Sequence, residues 1–280
     1  MDIKKLQKLV LGILKYCILA FGAFIAIIPV AVCIITAFKT DQEYQSTSPM
    51  TLPKSWTYFD NFIVAFKKAN MLVGFRNTFL VLIVVLFFSI MMGTMIAYVL
   101  NRFIFRGNAL IRNLFLFAAL LPGIATQVTV YKIMYNLNLI NTLPGYMLVM
   151  MGTDVISIYI FLQFFENLPR SLDESAILDG CTYFGVFFRI LLPLLKPAII
   201  TVMILKCVGI YNEYYMSNLY LQAKDLKTIS TALFTFTGPY GSQYNYICAG
   251  VLITILPALI IFLIFQKQIY SGLTQGAVKG

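Results

Sequence analysis

LPRSLDESAILDGCTYFGVFFRILLPLLKP, residues 168 to 197, is a polar and amphipathic island between two long apolar runs, and its local signals predict a short helix-turn-helix. Ser171 with Glu174 three residues on reads as a capping box, and Asp173 and Glu174 put negative charge where a helix N-terminus favours it. A helix is therefore expected to begin at Ser171. Gly180 suits the left-handed turn that ends such a helix. Thr182 then reads as the cap of a second helix, which carries Phe184, Phe187, Phe188 and Leu191 at i, i+3, i+4 and i+7. Pro193 and Pro197 punctuate its end. The expected object lies along a membrane surface, apolar on one face and charged on the other. By pattern alone, a loop resting on lipid and a docking element for another protein both fit it.

The composition around the island excludes an ordinary soluble domain. Of 280 residues, 60% are hydrophobic and 11% charged, with a mean hydropathy of +0.85. A net charge of +10 is explained by loops that retain Lys and Arg on the cytoplasmic side, and nucleic acid is not an expected partner. The five cysteines (Cys17, Cys33, Cys181, Cys207, Cys248) are scattered without a C-x-x-C, and the chain has no His, so they read as small core residues and no metal site is expected. Without His the commonest general base is missing as well, which leaves an enzyme reading weak.

A membrane span takes about 20 mainly apolar residues, and six segments qualify: about 16–37, 78–100, 113–134, 145–165, 198–218 and 246–266. The first has a basic lead but no clear cleavage site, and reads as an uncleaved span. The fold class is thus all-α, a polytopic membrane protein of six transmembrane helices with the helix-turn-helix between spans four and five. With the N-terminus in the cytoplasm, the inner side collects Lys4, Lys5, Lys8, Lys15, Arg102, Arg106, Arg112, Arg170, Arg189, Lys196, Lys267 and Lys279. The outer side collects Lys39, Lys54, Lys67, Lys68, Arg76, Lys224 and Lys227. This bias puts both termini and the island 168–197 inside. Residues 38–77 form the longest polar interval, expected to be an outer elaboration too short for its own core.

Glu174-Ser175-Ala176, Asp179-Gly180, Ile190 and Pro193, together with Pro197, resemble the cytoplasmic loop motif of ABC importer permeases, with Ser175 in place of the usual Ala. Phe75-Arg76-Asn77-Thr78, Ala97-Tyr98 and Asn101-Arg102-Phe103 are similar to the carbohydrate branch of that family. Asn212-Glu213 also stands where the branch has Trp-Asn-Glu, with Tyr211 replacing the Trp. The tail 267–280 resembles that of the maltose-importer G-type subunit. The resemblance covers nearly the whole chain and implies one transmembrane domain, 1–280, in a bacterial or archaeal cytoplasmic membrane. It further implies a second permease subunit, two ATPase subunits that supply ATP and Mg, an extracytoplasmic solute-binding protein and a sugar substrate. Under it, Glu174, Ser175, Ala176, Asp179, Gly180, Ile190 and Pro193 couple to the ATPase. Gln275 and Gly276 approach the ATPase interface, although the tail by itself would be read as a frayed end. The loop with Gly238-Pro239-Tyr240-Gly241 would face the binding protein.

The chain holds no G-x-x-x-x-G-K-[ST], so ATP hydrolysis is expected in a partner and not here. Gln127, Asp154, Lys206, Asn212 and Glu213 are the candidate path residues. Pro122-Gly123 and Gln127 in span three fit either a packing kink or a path-lining face. Asp154 and Lys206, each near mid-span, need an interior partner or a wet cavity, so they pair with each other, face substrate, or meet another subunit. Tyr211, Tyr214, Tyr215 and Tyr220 read as an interfacial belt. Competing readings are a self-sufficient secondary carrier or channel built on the Asp154 and Lys206 pair, and a permease for a non-sugar solute.

Overall fold

A computed structural model describes residues 3–152, 154–238 and 241–277, with side chains for 11–152, 154–238 and 242–266. Helices dominate, and the one sheet among the described residues is a hairpin of two-residue strands, Thr237–Gly238 and Gly241–Ser242, with Thr237 opposite Ser242. The chain divides into two compact units, one formed by residues up to Met71 with Leu233–Leu259, the other by Leu72–Ala232 with residues from Ile260 on.

In the first unit, α1 (Ile3–Ala37) is followed by two short helices, α2 (Asp41–Ser46) and α3 (Asp60–Lys68). From Leu11 to Ala37 the helix is almost purely apolar and its side chains stay uncovered, Tyr16, Phe21 and Phe24 being 72%, 66% and 62% exposed. Such a surface is made for lipid or for another chain. The polar interval after it is better ordered than its composition suggested. Thr40 and Glu43 form a reciprocal capping box, and Glu43 also accepts from the Lys54 amide at 2.9 Å. These backbone donors hold the Glu43 carboxyl below the usual 4.5. Asn61 donates to the carbonyls of Ala37 and Lys39 at 2.7 Å each, capping the end of α1. Lys39 is buried and donates to Thr47 Oγ1 and the Ser48 carbonyl. Residues 38–71 therefore pack as part of a larger unit with 233–259, where the sequence suggested an elaboration without a core.

The second unit contains α4 (Met71–Arg102), α5 (Asn108–Leu120), α6 (Gly123–Asn136), α7 (Leu143–Met150), α8 (Val155–Glu166) and α9 (Ser171–Leu178). Next come α10 (Tyr183–Gly185), a π-helical run Val186–Leu191, α11 (Leu192–Leu194), α12 (Lys196–Asn212), α13 (Tyr215–Tyr220) and α14 (Ile229–Ala232). The last helix, α15 (Tyr244–Ala277), runs on past the apolar stretch. Two apolar clusters hold the second unit together. One gathers Tyr98, Phe165, Phe187, Leu191 and Leu195, and the other Val85, Tyr146, Ile210, Tyr220 and Leu221. Asn77 and Thr78 are buried and tie α4 to the segment before α14: Asn77 donates to the Asp225 and Lys227 carbonyls, and Thr78 accepts from the Ile229 amide at 2.9 Å.

Three helical stretches are long and apolar enough to cross a bilayer: Leu11–Ala37, Met71–Arg102 and Tyr244–Gln266. They contain the predicted spans 16–37, 78–100 and 246–266. The other three predicted spans are not single helices. At Pro122 the chain turns by 99° between α5 and α6, because Pro offers no amide and forces Leu121 into the extended region, ψ 127°. The fourth bends by 50° between α7 and α8, with Asp154 recapping the chain. A further bend of 72° at Leu195 starts α12, which ends at Asn212, short of residue 218. Counting each bent pair as one crossing gives up to six.

The cysteines meet the expectation of core residues only in part: Cys181 and Cys207 are half-buried and pack against the two apolar clusters, Cys33 and Cys248 are half-buried, and Cys17 is exposed. Tyr220 is fully buried, unlike a belt residue. The backbone of Gln275 and Gly276 continues α15, where a frayed end was the plain reading; their side chains, and Pro239, Tyr240 and Lys279, lie outside the described residues.

Candidate functional site

The island 168–197 folds into two caps and two helices, though not by the route its letters suggest. The helix begins at Ser171, but Arg170 precedes it in helical geometry (φ −66°, ψ −23°) and no side chain caps the end. The turn starts already at Pro169, whose carbonyl accepts from Leu172, while the Arg170 carbonyl takes the Asp173 amide. Ser171 is thereby inside the helix, where its hydroxyl cannot reach back to the third amide, and the predicted capping box does not form. The other end is as expected. Gly180 sits at φ +85°, its amide donates to the Ile177 carbonyl and that of Cys181 to the Ala176 carbonyl, the paired bonds of a Schellman turn. Thr182 then accepts from the Gly185 amide at 3.2 Å and starts the second helix.

That helix does not keep a 3.6-residue stripe. Over Val186–Leu191 it is π-helical, and the wider turn puts Val186 and Leu191, five apart, into the core beside Phe187. Phe184 and Phe188, of the expected apolar stripe, are 68% and 45% exposed.

The expected coupling residues fall into two groups. Glu174, Ser175, Asp179 and Gly180 are exposed around the turn together with Leu178 (88% exposed), and Pro193 is exposed in α11. Ala176 is buried at 5% exposure and Ile190 is packed against the same cluster, so these two support the face from beneath instead of forming it. A pairing that the sequence reading missed anchors the face. Arg102, at the end of α4, meets Asp173 at 3.1 Å and reaches the carbonyls of Phe165 at 3.4 Å and Leu168 at 3.1 Å. Both side chains are buried, 7% and 14% exposed, and the contact between them is charge on charge, since neither Asp173 oxygen receives a hydrogen bond among the described residues. By sequence alone Arg102 reads only as an inner-side cation and as part of a motif. Its charge, next to an acidic first turn, was the available signal.

The path candidates lie apart from this face in their contacts. Lys206 Nζ is 3.8 Å from Asp154 Oδ2, so the two mid-span charges meet. Asp154 caps α8 as well, accepting from the Ser157 amide at 3.0 Å and from its hydroxyl at 2.6 Å. Gln127 is turned inward and donates to Tyr220 Oη at 3.3 Å. Asn212 is spent on the Val208 carbonyl, and Glu213 accepts from the Met216 amide at 2.8 Å, turning the chain from α12 into α13. Among the described residues no group of three or more His, Cys, Asp or Glu could hold a metal ion.

The chain is 31% identical over 93% of its length, and 94% of the relative's, to the arabinooligosaccharides transport system permease protein AraQ of Halalkalibacterium halodurans. It is 36% identical, over 79% of each chain, to the protein of that name from Bacillus subtilis. Against the diacetylchitobiose uptake system permease protein NgcG of Streptomyces coelicolor, identity is 28% over 95% of this chain and 88% of that one. Its fold is similar to that of a chain in a bacterial ABC transporter involved in the import of the acidic polysaccharide alginate, with a TM-score of 0.81, 18% identity and coverage of 92% and 96%. Residues 10–272 match the model of one family, and with these relatives they make this chain a member of the binding-protein-dependent transport system inner membrane components.

Proposed function

We propose that this chain is the permease subunit of an ATP-driven importer for a sugar or oligosaccharide. It works as a single transmembrane domain of six spans, counting each bent pair around 113–134, 145–165 and 198–218 as one crossing, with both termini in the cytoplasm. A second related permease completes the translocation path, two ATPase subunits supply ATP hydrolysis with Mg, and an extracytoplasmic binding protein delivers the solute. The observation that carries the reading is the anchored turn at 171–182, which presents Glu174, Ser175, Asp179 and Gly180 to solvent in a chain without a phosphate-binding loop.

In this reading the ATPase grips that face, Gly180 serving backbone shape, while Gln275 and Gly276 lie towards the ATPase interface. Asp154, Lys206, Asn212 and Glu213 line the path, with Gln127 behind it. A sugar is favoured because relatives are named for arabinooligosaccharides, for diacetylchitobiose and for melibiose, raffinose and stachyose. The test is to tag the chain in its host, solubilise it gently and identify what co-purifies. A second permease, a P-loop ATPase and ATP-dependent uptake of a radiolabelled oligosaccharide are expected. Recovery of the chain alone, from a preparation that keeps other complexes intact, would move the reading to an autonomous carrier with Asp154 and Lys206 as its coupling pair.

A further inference from the structure

We infer that Arg102 is a positioning residue that makes α4 the rigid output of the coupling face, so that span two moves as one body with the 171–182 turn. This rests on the proposed coupling role of that turn. The guanidinium of Arg102 joins three places at once: Asp173 on α9, and the Phe165 and Leu168 carbonyls where α8 ends. The link is returned, since Arg170 donates to the Asn101 carbonyl at 3.2 Å. One turn earlier, Tyr98 donates to the Tyr183 carbonyl at 3.3 Å and its ring packs on Phe165 and Phe187. The end of α4 is thus fastened to both helices of the island. A guanidinium that reaches one carboxylate and two carbonyls together holds orientation in a way a lysine point charge does not.

The other connections from the island are not straight helices. Towards α12 the chain bends by 72° at Leu195, and beyond α8 it bends again by 50° at the junction with α7. By contrast α4 is one helix of 32 residues with no break, long enough to carry a tilt from one side of a bilayer to the other. A push on Glu174 or Asp179 is delivered through this junction to α4, the one unbroken helix that meets it.

The assembled complex in lipid nanodiscs, with spin labels at Phe87 on α4 (61% exposed) and at the exposed Ser171 of a chain otherwise free of cysteine, reads this directly. The expected result is one narrow distance that ATP leaves unchanged, and that broadens in Arg102→Ala. A distance that shifts with ATP in the unmutated staple overturns the inference. In parallel, Arg102→Ala and Asp173→Ala should each lower uptake per ATP hydrolysed by about tenfold, the size of a lost charge-assisted contact. The double variant should be no worse, and Arg102→Lys should recover part of the loss and carry the measurement if the alanine variant fails to assemble. Losses in uptake matched by equal losses in hydrolysis overturn the proposal. If the unmutated complex lacks an ATPase altogether, the functional reading falls, whereas the distance between labels still reports on the staple.

Discussion

Removing either member of the Asp154 and Lys206 pair should weaken the protein unequally, and the geometry says which way. At 3.8 Å two unit charges attract by about 4 kcal/mol at an effective dielectric of ~20. Asp154 is 39% exposed, so water screens the pair, and the buried Lys206 (11% exposed) has already lost hydration in reaching it. Those offsets leave a net coupling of about 1–2 kcal/mol. In Lys206→Met the remaining carboxylate keeps both Ser157 bonds and its partial contact with solvent. In Asp154→Asn the ammonium stays half-buried without its counter-charge, and the Ser157 hydroxyl loses its carboxylate acceptor. Asp154→Asn should therefore cost more than Lys206→Met, and the double variant less than the sum of the two by that 1–2 kcal/mol, a factor of about 5–30. The assay is a double-mutant cycle on uptake rate and, for the same four proteins, on resistance to a denaturing detergent. Additive losses in both readouts would refute the pairing argument, and a larger loss for Lys206→Met would refute the asymmetry.

Gly180→Val should uncouple uptake from ATP hydrolysis while insertion stays intact, because a β-branched residue at φ +85° is strained by about 1–2 kcal/mol although a Cβ there meets nothing within 4 Å. Gly180→Asn, which tolerates that backbone, should retain more uptake, and equal defects in the two would count against a backbone role. A Cβ on Gly145 would collide with the Leu139 carbonyl and crowd Thr142 Oγ1, so Gly145→Ala should lower stability by roughly 1–3 kcal/mol, whereas Gly123→Ala, with open space, should change the thermal midpoint little. Glu43 has a folded pKa below its usual 4.5, so its contribution is present above 4.5 and is lost as pH falls through the depressed value. Limited proteolysis between residues 40 and 54 should accelerate only under strong acid in the unmutated chain. In Glu43→Gln it should already be faster at pH 7 and depend less on pH; an unchanged acid profile would contradict this.

Much of the molecule was legible one residue at a time. Apolar runs at 16–37, 78–100 and 246–266 had to become long helices, since length and hydropathy decide that locally. Gly180 and Thr182 were readable as caps because a left-handed glycine and a side-chain oxygen at an N-cap act within four residues. The motif letters at 174–193 pointed to a docking face, and most of them are exposed. The face's support was not legible. Arg102 and Asp173 are 71 positions apart in the chain, and only packing brings them to 3.1 Å. The same holds for Asn77 with the 225–227 carbonyls and for Tyr220 with Gln127, a residue whose polar side chain fits a path-lining face by sequence alone.

Where local signals and tertiary contacts competed, the contacts decided. Ser171 and Glu174 spell a capping box, yet the turn carried over from Pro169 starts the helix early. Asp173 is meanwhile drawn to Arg102, a charge-assisted contact in a buried site where few alternatives exist. The 3.6-residue stripe of Phe184, Phe187, Phe188 and Leu191 yields to a π-helical turn that buries Val186, Phe187 and Leu191 instead. Pro122 announced a break, but not its angle. A bend of 99° depends on what packs on either side, and Gly123 leaves the backbone free to follow. The sequence by itself determined membrane residence, the three long helices, the caps at Gly180 and Thr182 and the family. Tertiary structure decided which motif residues are exposed, which charges meet and how far each span bends, because those depend on groups distant in the chain that only packing brings together.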